Sequence, residues 1–160
     1  MDSEAGKGAT FRIYLPRIDS EIKSEEDDAA SKSVPKGLET ILIVEDEDMV
    51  RMLTRQMLEE CGYRVIEASG GGEALSIIEK RECEIDLVIT DIVMPQMSGR
   101  ELAEKLAEVC PLMRVLFTSG YTDDEIIRHD VIKENTNFIQ KPFTFDVLAH
   151  KVRKSLDNEN

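Results

Sequence analysis

Positive charge is scarce in this 160-residue chain: 20 Lys and Arg face 33 Asp and Glu, giving a formal net charge of -13 and a pI near 4.6. That balance argues against a nucleic-acid backbone or an anionic membrane as a direct partner, and an acidic surface also keeps a protein soluble. Long apolar runs are missing too. The longest are strand-length, so no membrane span is expected, and the polar first residues lack the apolar stretch of a signal peptide. Cysteine is limited to Cys61, Cys83 and Cys110, an odd and scattered set without a CxxC pair or a Cys/His cluster. All three read as packing or surface residues rather than ligands or nucleophiles, and the set suits a cytoplasmic location. His129 and His150 have no partner at ligand spacing and read as surface residues.

What remains is a globular composition, 41% hydrophobic and 33% charged, with room for one ordinary domain and some surplus. The surplus lies at the front. Residues 1–19 hold one strand-like alternation, Phe11, Ile13 and Leu15, which alone cannot fold. Residues 20–37, with Glu25-Glu26-Asp27-Asp28, Ser31, Ser33 and Pro35, read as a linker. Residues 38–157 carry the domain.

Within that domain, strand and helix patterns alternate. Thr40–Val44 is a continuous β-rich run of the kind covered on both faces, and Val50, Leu53, Met57 and Cys61 then recur at helical spacing before Gly62, a plausible C-terminal cap. Tyr63–Glu67 is the second strand, Ala74, Leu75 and Ile78 mark the second helix after a Gly70-Gly71-Gly72 turn, and Ile85–Thr90 is the third strand. Ser98 with Glu101 forms a capping-box pattern for a helix carrying Leu102, Leu106 and Val109, ended by Pro111. Met113–Thr118 is the fourth strand, and Thr122 with Glu125 opens a helix containing Ile126, Ile127 and Val131. Asn137–Gln140 is the fifth strand, and a last helix after Thr144 presents Leu148, Val152 and Leu156 on one side. Five strand-then-helix repeats predict an α/β fold: a doubly wound five-stranded parallel sheet with helices on both faces.

In such a fold every strand ends on one rim, so residues just after the strands meet although distant in sequence. Those positions hold Glu45 and Asp46, Asp91, Ser119 and Lys141. Three carboxylates brought together repel one another unless a hard cation and a lysine compensate them. Mg2+, or Mn2+, held by Asp46, Asp91 and the backbone carbonyl near Val93 meets that need, with Glu45 acting through a metal-bound water. A carboxylate flanked by a divalent metal, an ammonium and a hydroxyl suits phosphoryl transfer to an aspartate. Asp91 is then the phosphoacceptor, Lys141 neutralises the new dianion, and Ser119 donates a hydrogen bond to a phosphoryl oxygen, with room left by Gly120.

Four motifs stand in order at these positions: Ile41-Leu42-Ile43-Val44-Glu45-Asp46, Asp91-Ile92-Val93-Met94-Pro95 with Gly99, Leu116-Phe117-Thr118-Ser119-Gly120, and Phe138-Ile139-Gln140-Lys141-Pro142-Phe143. With them the chain resembles a response-regulator receiver domain of two-component signalling, a flavodoxin-like fold. The resemblance implies a phosphoryl group delivered by a histidine kinase or histidine phosphotransfer domain, and a receiver that promotes its own phosphorylation and dephosphorylation. It implies a cis peptide before Pro142, a switch made of Ser119 and Phe138, and a partner-binding face, open to self-association, formed by the fourth helix and fifth strand. Glu45 stands where the family more often has aspartate, and Phe138 lacks the hydroxyl of a tyrosine. Ser119 rather than Thr118 matches the switch hydroxyl by its spacing to Lys141.

Gly6-Lys7-Gly8-Ala9-Thr10-Phe11-Arg12-Ile13-Tyr14-Leu15-Pro16 is similar to the closing glycine motif and last strand of a histidine-kinase ATP-binding domain. That implies the C-terminal receiver of a hybrid sensor histidine kinase, whose parent is a histidine protein kinase and can be membrane-anchored. No output domain is expected after the last helix. Two other readings stay open: an aspartate-nucleophile phosphatase using Asp46 and Asp48, which lacks a hydroxyl residue at Val50, and a receiver-like module that binds without being phosphorylated.

Overall fold

The computed structural model describes residues 2–4, 8–10, 34–81, 84–120 and 137–157. The chain divides into two compact units, Met1–Lys32 and Ser33–Asn160. In the first, strand β1 (Asp2–Glu4) pairs antiparallel with β2 (Gly8–Thr10). The alternation at Phe11, Ile13 and Leu15, the residues 20–33, Cys83, and the helix expected from Thr122 to Val131 with His129 lie outside the described residues.

The second unit is built on β3 (Thr40–Val44), β4 (Arg64–Ala68), β5 (Leu87–Asp91), β6 (Arg114–Ser119) and β7 (Phe138–Gln140). All pair in parallel, in the order β4-β3-β5-β6-β7. Helices α1 (Asp48–Glu60), α2 (Gly71–Lys80), α3 (Gly99–Val109) and a C-terminal helix (Phe145–Asp157) cover the sheet. No helix of the described residues is long and apolar enough to cross a membrane.

Alternation along the strands divides the core. Ile41 and Ile43 of β3 and Leu87 and Ile89 of β5 pack with Leu58 of α1 and with Leu148 and Val152 of the C-terminal helix. Leu42, Val44 and Val88 face the other way, onto Ala74 and Ile78 of α2 and Leu102 and Leu106 of α3. Each fully buried Leu or Ile contributes on the order of 2 kcal/mol against exposure.

Two expected helix stripes shift. On α1 the buried residues are Thr54 and Leu58, while Leu53 is 52% exposed; on α3, Val109 is 51% exposed. Each stripe departs at that one residue: Cys61 is buried and Met57 packs against the core on α1, and Leu102 and Leu106 are buried on α3. The punctuation holds better. Gly62 adopts φ 90° after α1, and Ser98 and Glu101 exchange both bonds of a capping box at the start of α3. Cys61 is a buried free thiol, whereas Cys110 is disulfide-bonded, which nothing in its sequence context announces.

Candidate functional site

The strand order reverses between β3 and β5, which leave the centre of the sheet in opposite directions through α1 and α3. A crevice opens at such a point, at the C-terminal ends of the strands. Glu45 and Asp46 follow β3 on one side of it, and Asp91 ends β5 on the other.

Asp91 stands on a stiff base. A Cβ at Gly99 would lie 2.1 Å from the Asp91 carbonyl oxygen, so only glycine lets α3 start against the end of β5. The Gly99 N–H donates to the Ile92 carbonyl at 3.0 Å, and the Ile92 N–H donates to Thr118 on β6 at 3.0 Å. The loop between carries Gln96 at φ 67°, a left-handed turn. The Val93 N–H reaches back to Asp91 Oδ1 at 3.2 Å, and the Val93 side chain is exposed.

Lys141 enters from the end of β7. Its N–H donates to the Ser119 carbonyl at 2.7 Å, its peptide bond to Pro142 is cis, and its Nζ donates at 2.6 Å to both Asp91 Oδ2 and Glu45 Oε2. Burial disfavours the ammonium, but hydrogen bonds and attraction from the two carboxylates outweigh it and push its pKa up, so Lys141 is a cation at neutral pH. Glu45 moves the other way for a carboxylate. Burial raises its pKa, Asp91 adds repulsion, and the Lys141 contact does not fully offset them.

Glu45, Asp46 and Asp91 each bring a carboxylate oxygen within 4.8 Å of the others. One ammonium therefore faces three hard oxygen donors, a set that fits Mg2+ or Mn2+ better than a soft metal. The structure thus brings together Glu45, Asp46, Asp91 and Lys141, four of the five residues singled out from the strand ends.

Thr118 and Ser119 close β6 with side chains on opposite faces, both buried. Thr118 lines a small cavity with Ile43, Thr54, Glu45 and Lys141. Phe138 on β7 pairs in register with Phe117 and packs, partly buried, beside Ile92 and Phe117. Asp48, the alternative nucleophile partner, points outward, 88% exposed and bonded to Arg51. Arg51 also reaches the site, its Nη1 donating to the Glu45 carbonyl at 2.6 Å. An arginine in the second turn of a helix has no signature that sets it apart from a solvated one.

The chain is similar to known proteins in sequence and in fold. The response regulator receiver domain family matches residues 41–153. The chain is 40% identical over 166 residues to the sensor kinase CckA of Brucella abortus, an alignment that takes in 99% of this chain and 18% of that kinase. A crystal structure of the receiver domain from the hybrid histidine kinase CckA superposes with a TM-score of 0.63 at 36% identity, over 74% of this chain and 99% of that one. The response regulator TrrA from Thermotoga maritima, solved in complex with Mg2+-BeF, gives a TM-score of 0.66 at 32% identity, over 74% of this chain and 100% of TrrA. With a family match across most of its length and the sheet order and rim described above, the chain belongs to the response regulator receiver domain family of two-component systems.

Proposed function

We propose that Asp91 accepts a phosphoryl group from a phosphohistidine on a histidine kinase or histidine phosphotransfer domain. The observation that carries this reading is Lys141 Nζ, 2.6 Å from both Asp91 and Glu45, at a pocket where three carboxylates converge. An Asp91 oxygen attacks phosphorus, the N–P bond to the donor imidazole breaks, and the imidazole leaves with a proton from solvent. Lys141 offsets the negative charge that arrives with the phosphoryl group. Ser119 supplies a hydrogen bond to a phosphoryl oxygen, and Phe138 reports that movement at the β7 edge of the sheet, where a partner or a second copy binds. Asp46, Asp91 and the Val93 carbonyl would hold Mg2+ or Mn2+, with Glu45 orienting a bound water. When bound, the metal supplies charge neutralisation for the phosphoryl oxygens.

The alignment with a sensor kinase across 99% of the chain supports a receiver within a hybrid histidine kinase, working in the cytoplasm, with residues 1–19 the end of the kinase's ATP-binding domain, 20–37 a linker and 38–157 the receiver. Acetyl phosphate with Mg2+ followed by intact mass measurement tests the chemistry. One labile adduct is expected, absent in Asp91→Asn, and Asp46→Asn weakens Mg2+ binding. An adduct that survives Asp91→Asn but is lost in Asp46→Asn favours the phosphatase reading. No adduct on the wild-type chain makes it a binding module alone.

A further inference from the structure

Asp46 makes no hydrogen bond or ion pair within the described residues, so its position is set by the backbone on either side. On one side is Glu45, whose N–H stays in the sheet, donating to the Ala68 carbonyl at 3.1 Å. The Glu45 carbonyl has left the strand ladder and is held by Arg51 Nη1 at 2.6 Å. On the other side the chain enters α1, and Arg51 Nη2 lies 2.5 Å from Asp48 Oδ1 in its first turn. Arg51 Nε lies 3.7 Å from Glu67 Oε1 near the end of β4, and Arg55 Nη1 binds the other Glu67 oxygen at 2.7 Å. A single guanidinium, 16% exposed, thus touches the residue before Asp46, the helix after it and the neighbouring strand.

We infer that Arg51 is a positioning residue for the acidic pocket: by pinning the Glu45 carbonyl to α1 and β4 it sets where Asp46 stands relative to Asp91, and so the affinity for the divalent cation. The inference rests on the metal reading given above. A planar fork with five donors can hold three groups at once, whereas an ammonium on a flexible stem cannot hold the same geometry. Charge alone predicts the opposite effect. A guanidinium beside a cation site repels the cation, so its removal would tighten binding if Arg51 acted only through its charge. The sign of the change therefore separates the two roles.

Mg2+ titrations by calorimetry on the whole chain, with thermal midpoints in chelator, compare wild type, Arg51→Met and Arg51→Lys. Arg51→Met is expected to weaken Mg2+ binding by about tenfold, the usual scale for removing a group that orients a ligand. The Mg2+ concentration for half-maximal labelling by acetyl phosphate moves by the same factor, while the rate at saturating Mg2+ falls much less. Arg51→Lys, which keeps the charge and loses the fork, behaves like Arg51→Met, and it carries the test if Arg51→Met does not fold. Unchanged or tighter binding in Arg51→Met, wild-type binding in Arg51→Lys, or a lowered midpoint with unaltered affinity overturns the inference. Absence of Mg2+ binding by the wild-type chain overturns the metal reading itself, and is distinct from any of these.

Discussion

At each end of the parallel sheet one basic side chain lies between two carboxylates, yet the consequences are opposite. At the C-terminal rim, Lys141 bonds Glu45 and Asp91, whose side chains are only 6% and 15% exposed. At the N-terminal edge, Arg153 of the C-terminal helix bonds Glu39 at 2.8 Å and Asp157 at 2.7 Å, which are 29% and 62% exposed. Burial pulls on Glu39 as well, but hydrogen bonds from backbone N–H groups and Arg153 win, and its pKa is held below the usual glutamate range. Glu45 is raised instead. The same pairing stabilises where water and backbone donors complete it. Where burial is deeper and Asp46 adds a third carboxylate, it leaves a deficit of positive charge, and that deficit is what a binding site for a cation and a phosphoryl group requires.

Four substitutions break or sharpen the contrast. Lys141→Met should slow labelling by acetyl phosphate by roughly a hundredfold, the scale for losing one donor aimed at developing charge, in rates taken from intact mass. Arg153→Met at the other end should leave labelling unchanged and cost roughly 1 kcal/mol of stability by denaturant titration, the upper range for a partly exposed pair. Asp46→Asn should stabilise the metal-free protein by about 1 kcal/mol, since it removes one member of a like-charged set, and a Tm that falls instead would remove the idea of unbalanced charge at the rim. Glu39→Gln gives the smallest effect and carries a pH signature. Because the folded pKa of Glu39 is depressed, its stabilisation is present above the unfolded value and lost as pH falls through the folded one. The gap in Tm between wild type and Glu39→Gln should hold from neutral pH down to the ordinary glutamate range, then close with further acid.

The rim was readable in the amino-acid order because strand ends are marked twice, by the close of an apolar run and by the polar residue after it. Thr40–Val44 coincides with β3, and Asp91 and Ser119 sit one residue beyond the apolar stretches expected to end at Thr90 and Thr118. The sequence pattern opens the second strand at Tyr63, but the strand starts at Arg64, since the Tyr63 N–H donates to the Leu58 carbonyl of α1 rather than to a neighbouring strand. On α1 the expected stripe holds at Met57 and Cys61 and fails at Leu53, because the helix buries a threonine, Thr54, that apolar spacing does not mark. The Arg51 fork leaves no trace in the sequence, because its partners are set by packing rather than by spacing along the chain.

Lys141 lies 50 residues after Asp91 and 96 after Glu45. On a growing chain Asp91 is therefore made well before the lysine that completes its surroundings, and β7 must join the edge of the sheet before the two can meet. Under the phosphoacceptor role proposed above, Asp91 on an unfinished chain lacks its ammonium partner and would be a slower acceptor, the same loss expected of Lys141→Met. In that role phosphorylation would favour receivers whose last strand is already in place over those still lacking it.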